Sequence, residues 1–188
     1  MTSPAPHPEG PARAFRVLFV CTANQCRSPM AEYLLQHALR ARGVDARTTD
    51  EVAANGEPDG GWVIGSVGTR TRGGRPMDPA ALTVLAERGI DGSGFVGRGV
   101  SVPLIRDADL ILTATREHRG TIAQLNPAAL SRLFTIQQFG YLAAAAQPGK
   151  VTDTVEAGGD LRERARAARG QVPGRTAEDD LADPVGQP

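Results

Sequence analysis

Cys21 and Arg27 stand six positions apart in the run VLFVCTANQCRSPMAE, residues 17–32. Divided by a five-residue loop, a thiol and a guanidinium can converge on one tetrahedral oxyanion. The loop would turn its amide N–H groups inward, and a helix opening at Ser28 would add the positive end of its dipole. Donors, dipole and guanidinium all favour the thiolate of Cys21. A thiolate held beside such a cradle can take a phosphoryl group onto sulfur. The chemistry implied is that of a cysteine-dependent phosphatase.

Within that loop each residue type has a use. Arg27 offers a planar fork for two phosphoryl oxygens, which lysine cannot reproduce. A cation at a helix N-terminus is unfavourable by itself, so an anionic partner explains it best. Thr22, Ala23, Asn24, Gln25 and Cys26 line the phosphate with the loop backbone. Asn24 suits a left-handed position and can hydrogen-bond across the loop toward Ser66. Ser28 fits a helix cap. Cys26 reads equally well as a packed thiol or as a partner that traps oxidised Cys21 in a disulfide.

These residues need a frame. Phe15–Val20 is an apolar stretch broken only by Arg16, as in a parallel strand buried on both faces. Ser28–Arg42 follows with Met30, Tyr33, Leu34, His37, Ala38 and Ala41 at helical spacing. Residues 43–61 are polar and glycine-rich and read as an exposed excursion. Further strands are expected at Trp62–Val67, Ala108–Thr113 and Leu133–Ile136. Helices are expected from Asp78-Pro79 to Arg88, over Glu117–Leu125 and over Gln137–Ala146, with a solvated one at Asp160–Ala168. Strands alternating with helices give a three-layer α/β/α sandwich on a central four-stranded parallel sheet.

Bulk properties narrow the partners. The 188 residues carry 21 Lys+Arg and 21 Asp+Glu, so no global charge points to nucleic acid. No apolar run is long enough to span a bilayer. The two cysteines share one short loop, which fits a reducing, cytoplasmic setting better than a disulfide framework. His7, His37 and His118 share no ligand spacing, so no metal or other cofactor is expected. Residues 1–14 read as a disordered tail and 15–188 as one domain; a monomer is expected.

VCTANQCRSPMAE resembles the signature loop of the low-molecular-weight protein-tyrosine phosphatases. SVGT at 66–69, GRPMDPAALTVLAERGID at 74–91 and ADLILTATREH at 108–118 resemble further elements of that family. The resemblance implies that Cys21 is the nucleophile and that Ser28 donates to its sulfur. Asp183-Pro184 looks like the loop bearing the general acid. Asp179 and Asp180 are rivals, but Asp183 alone of the three precedes proline. The implied substrate is a phosphorylated protein or peptide.

The match departs from the family at several points. Ala23 replaces the usual glycine, and Gln25 matches neither the aliphatic residue of phosphotyrosine enzymes nor the threonine of phosphoarginine enzymes. Val185-Gly186 replaces the usual aromatics after the acid loop. Residues 147–180 read as a variable insert before that loop, and the family's final helix is not in the sequence given. Alternatives are a phosphoarginine phosphatase, an arsenate reductase-like protein, for which no cysteine follows Cys26, and a catalytically weak phosphate-binding module.

Overall fold

The computed structural model describes residues 13–145, 154–169 and 179–183. Residues 1–12 of the expected tail, 147–153 and 170–178 of the expected insert, and Pro184 with the residues after it lie outside the described residues.

The sheet has five parallel strands rather than the four expected. β1 (Phe15–Cys21) is central, with β3 (Trp62–Gly68) on one side and β4 (Leu110–Thr113) on the other. β2 (Ala46–Thr48) lies outside β3, and β5 (Leu133–Thr135) outside β4. The chain leaves β1 toward one edge, then returns to build the other. That places a topological switch at the C-terminal end of β1, where ligands collect in open α/β sheets.

β1 is apolar apart from Arg16, which is only partly buried, because both its faces are covered. Phe15, Val17 and Phe19 point into one core with Ile64, Leu112, Phe134 and Leu142. Leu18 and Val20 point into a second core with Ile111, Ile122 and Leu133. The first core is roofed by α1 (Arg27–Arg40) and α6 (Ile136–Ala145), the second by α4 (Val102–Asp107) and α5 (Arg116–Leu125). A third, smaller cluster joins Cys26, Met77, Leu85 and Phe95 under α3 (Pro79–Ala86). Each fully buried large apolar side chain contributes roughly 2 kcal/mol.

Two segments differ from expectation. The supposed excursion over 43–61 contains β2 and α2 (Thr49–Asn55). β2 has only three residues, too short for alternation to declare itself, and its form comes from pairing with Trp62–Ile64. α2 opens with a capping box in which Thr48 accepts from the Glu51 amide and Glu51 returns to the Thr48 amide. The second segment, the expected solvated helix, is α7 (Thr154–Ala168), and it is docked. Ala165 is fully buried in the first core, and a Cβ on Gly158 would lie 2.8 Å from the Phe15 ring. Arg169, just past its end, stacks its guanidinium 3.8 Å from the Phe134 ring centroid. The charges that suggested solvation cover one face, while small residues on the other let the helix approach β1.

Candidate active site

β1 ends at Cys21, and residues 22–26 curl back into α1, which starts at Arg27. Among the described residues Asn24 is the one non-glycine at positive φ, 55°. That left-handed step reverses the loop and aims the Asn24 amide at Cys21 Sγ, 3.3 Å away. The end of β3 braces the loop. Thr69 N donates to the Cys21 carbonyl and Arg70 N to that of Thr22, both at 2.9 Å. Gly68 permits this approach, since a Cβ there would lie 2.7 Å from the Thr22 oxygen. On the far side Asp78 N donates to the Gln25 carbonyl at 2.8 Å.

Behind the thiol runs a buried hydrogen-bond chain. Asn24 Nδ2 donates to Ser66 Oγ at 2.8 Å and to Ser28 Oγ at 2.9 Å. Asn24 Oδ1 accepts the Arg98 amide, which fixes the side-chain orientation. Because Ser28 accepts from Asn24, its own proton is left for Cys21 Sγ, 3.0 Å away, or for the more distant Val67 carbonyl at 3.5 Å. Ser66 in turn donates to Glu32 Oε2 at 2.5 Å. Glu32 is fully buried, and burial pushes its carboxyl up to about 8 despite Arg98 and the Ser66 bond. Ser66 and Asn24 meet because Ser66 follows Trp62 and Ile64 on the face of β3 that looks toward α1.

The opposite wall holds Arg27. Its Nη2 lies 2.6 Å from Asp183 Oδ2 and 3.4 Å from Thr22 Oγ1. Thr22 Oγ1 also meets His118 Nε2 at 2.9 Å, and His118 Nδ1 meets Thr115 Oγ1 at 2.7 Å. Thr115 caps α5 by accepting the His118 amide, so its hydroxyl proton serves Nδ1. The consistent assignment puts the ring proton on Nε2, donating to Thr22. Burial first, then the nearby Arg27 charge, lower the His118 pKa, which keeps the ring neutral.

Cys21, Thr22, Ala23, Gln25, Cys26, Arg27, Asp78 and Asp183 line one cavity of about 190 Å³. Ala23 is exposed at its rim, and Gln25 Nε2 lies 3.5 Å from the Pro76 carbonyl. Cys26 is buried in the third cluster, and burial, followed by the Asp78 charge, raises its pKa. A larger depression of about 530 Å³, between α1, α2 and residues 89–94, is lined by no cysteine. Among the described residues no group of three or more His, Cys, Asp or Glu is placed to hold a metal.

The structure thus brings together all ten residues singled out in the sequence, with Ser66 reaching the others from behind the loop. Four participants were not singled out: Glu32, Arg98, His118 and Asp78. Thr115 three residues before His118 is a readable cap, but nothing local shows that the histidine meets Thr22.

A parallel α/β sheet carrying a Cys-x5-Arg loop between its central strand and a helix defines a class, the cysteine-dependent phosphatases. Within it, the chain belongs to the low molecular weight phosphotyrosine protein phosphatase family, whose sequence model matches residues 16–167. It is 31% identical over 120 residues to a probable low molecular weight protein-tyrosine-phosphatase, EpsP, of Ralstonia solanacearum. That match covers 64% of this chain and 69% of that protein. It is equally 31% identical, over 125 residues, to a protein-arginine-phosphatase of Geobacillus stearothermophilus, covering 66% of this chain and 71% of the relative. The low molecular weight protein tyrosine phosphatase of T. tengcongensis superposes with a TM-score of 0.55 at 26% identity, covering 82% of this chain and 94% of the other.

Proposed function

We propose that the chain hydrolyses phosphomonoesters on proteins in two steps through a cysteinyl-phosphate at Cys21. The observation that carries this is the setting of Cys21 Sγ, which receives the Asn24 amide and the Ser28 hydroxyl and shares one cavity with Arg27. In the first step the Cys21 thiolate attacks phosphorus in line. The S–P bond forms as the P–O bond to the leaving group breaks, and Asp183 gives its proton to the departing oxygen. Arg27 and the loop amides neutralise charge on the three equatorial oxygens. In the second step Asp183 takes a proton from water, which attacks phosphorus and releases phosphate and the thiolate. Ser28 stabilises that thiolate both as nucleophile and as leaving group.

Phosphotyrosine is the leading substrate class. A specific observation favours phosphoarginine as the second reading. Among the described residues no aromatic ring lines the cavity, and its lining includes the polar side chains of Gln25 and Asp78. A guanidinium fits that wall as well as a phenol does. Reaction through a reduced thiol suits the cytoplasm, where both cysteines stay free as they are here. Every group the reaction uses comes from one chain, so a monomer suffices.

Hydrolysis of p-nitrophenyl phosphate without added metal, by wild type, Cys21→Ser and Asp183→Asn, tests the reading. Turnover abolished by Cys21→Ser is expected, with kcat reduced about 10²–10⁴-fold by Asp183→Asn because the water step loses its base. Wild-type silence with retained phosphate binding would make the protein a binding module instead. A paired phosphotyrosine and phosphoarginine peptide panel, repeated on Gln25→Ile and Gln25→Thr, decides the substrate.

A further inference from the structure

Three aspartates, Asp179, Asp180 and Asp183, fall within five residues, and the structure sends them to different places. Asp179 is buried at 5% exposure, while Asp183 lies against Arg27 at the cavity. Asp180 turns the other way, to the start of α5. Its Oδ1 accepts the Arg116 amide at 2.7 Å, and its Oδ2 lies 3.2 Å from Arg116 Nη2. Next along, Leu181 N donates to the Ala114 carbonyl at 2.8 Å, and Arg27 Nη1 donates to the Leu181 carbonyl at 3.3 Å. Ala114 is itself registered on β1, donating to the Val20 carbonyl.

We propose that Asp180 and Arg116 form a clasp that holds the acid segment over the phosphate site, which makes Asp180 a positioning residue for Asp183. The inference rests on Asp183 being the general acid.

The need for a clasp follows from a conflict at Arg27. In this structure that guanidinium pairs with Asp183, yet a bound phosphoryl group claims the same fork. When substrate takes Arg27, Asp183 loses that anchor at the moment its position matters most. The contacts at Arg116 and Ala114 do not involve the phosphate site and persist. Asp183 is then two residues from a fixed point at Leu181, a reach of at most about 7 Å. The attachment is also stronger than a surface ion pair. A carboxylate on the first amide of a ten-residue helix meets the positive end of its dipole as well as the arginine. The turn that receives it, Ala114–Arg116, carries Thr115, which orients His118 and through it Thr22. One turn therefore sets both the acid side and the phosphate side of the cavity.

The test compares kcat/KM for p-nitrophenyl phosphate, whose leaving group departs without a proton, and phenyl phosphate, whose leaving group needs one. Asp180→Ala should lower the phenyl phosphate value about 10–100-fold more than the p-nitrophenyl phosphate value. Arg116→Gln should move the ratio the same way by less, because the backbone amide remains. Introducing Asp180→Ala into Asp183→Asn should add less than about twofold, since the clasp acts only through the acid. An unchanged inhibition constant for inorganic phosphate shows that each variant keeps a folded cradle. Equal losses on both substrates, no loss, or a full further loss in the double variant overturns the clasp. Should Asp183→Asn itself fail to discriminate between the substrates, the general-acid reading falls instead.

Discussion

At the scale of single residues, the site is a problem of proton direction. Asn24 donates twice through Nδ2, and that decides where the Ser28 hydroxyl points. Asn24→Ala would leave Ser66 and Ser28 without their donor and the Arg98 amide without its acceptor, all behind the thiol. The expected cost is about 1–3 kcal/mol in urea unfolding, with kcat/KM down by at least tenfold as Ser28 turns away from sulfur. Ser28→Ala should cost less stability than Asn24→Ala while lowering kcat, because it removes the donor to the thiolate and leaves one Asn24 Nδ2 proton without its acceptor. Equal effects of the two variants on kcat and on stability would show that Asn24 acts only as a structural brace.

Elements carry these residues, and two glycines show how differently they do so. Gly68 lets β3 press against the Thr22 carbonyl, and Gly158 lets α7 lie on Phe15. Gly68→Ala therefore strikes the loop: the added methyl must push Thr22, and kcat/KM should fall more than stability does. Gly158→Ala strikes the core edge, lowering stability by about 1–3 kcal/mol with kcat/KM largely kept. Paired kinetics and urea titrations on both variants check this crossing pattern. The same elements mark what could be read beforehand. The strand, loop and helix over 15–40 were legible because strand end, loop and helix start are contiguous, so spacing alone sets their geometry. Trp62–Gly68 and the helix after Asp78 were legible from an apolar run and an Asp-Pro cap. β2 was hidden because three residues carry no period. The docking of α7 was hidden because Gly158 and Ala165 bury themselves without an apolar stripe. In the site, His118 and Asp180 were out of reach for a related reason. Their partners are 96 and 64 positions away, joined only by folding.

For the whole molecule, two buried groups make stability depend on pH in opposite senses. Glu32 holds its proton up to about 8 in the folded state, well above its ordinary 4.5. Its contribution is complete below pH 4.5 and is lost as pH rises through 8. Wild type should therefore lose about 3–5 kcal/mol relative to Glu32→Gln between pH 5 and pH 8.5. His118 is held neutral, its pKa below the usual 6.5. The unfolded chain gains a proton there first, so stability drops as pH falls through 6.5. His118→Gln should flatten that acid limb. Urea unfolding of the three proteins across this range reads both effects, and parallel curves would remove both assignments.

In the mechanism proposed above, all of these scales serve one event, transfer of phosphorus onto sulfur. The direct measurement is to mix Asp183→Asn, which slows attack by water, with p-nitrophenyl phosphate, quench within milliseconds and map the phosphate by mass spectrometry. The account predicts one added phosphoryl group on the peptide bearing Cys21, and none in the Cys21→Ser, Asp183→Asn double variant. Turnover with no phosphoryl group on Cys21, or a phosphoryl group on another residue, would contradict it.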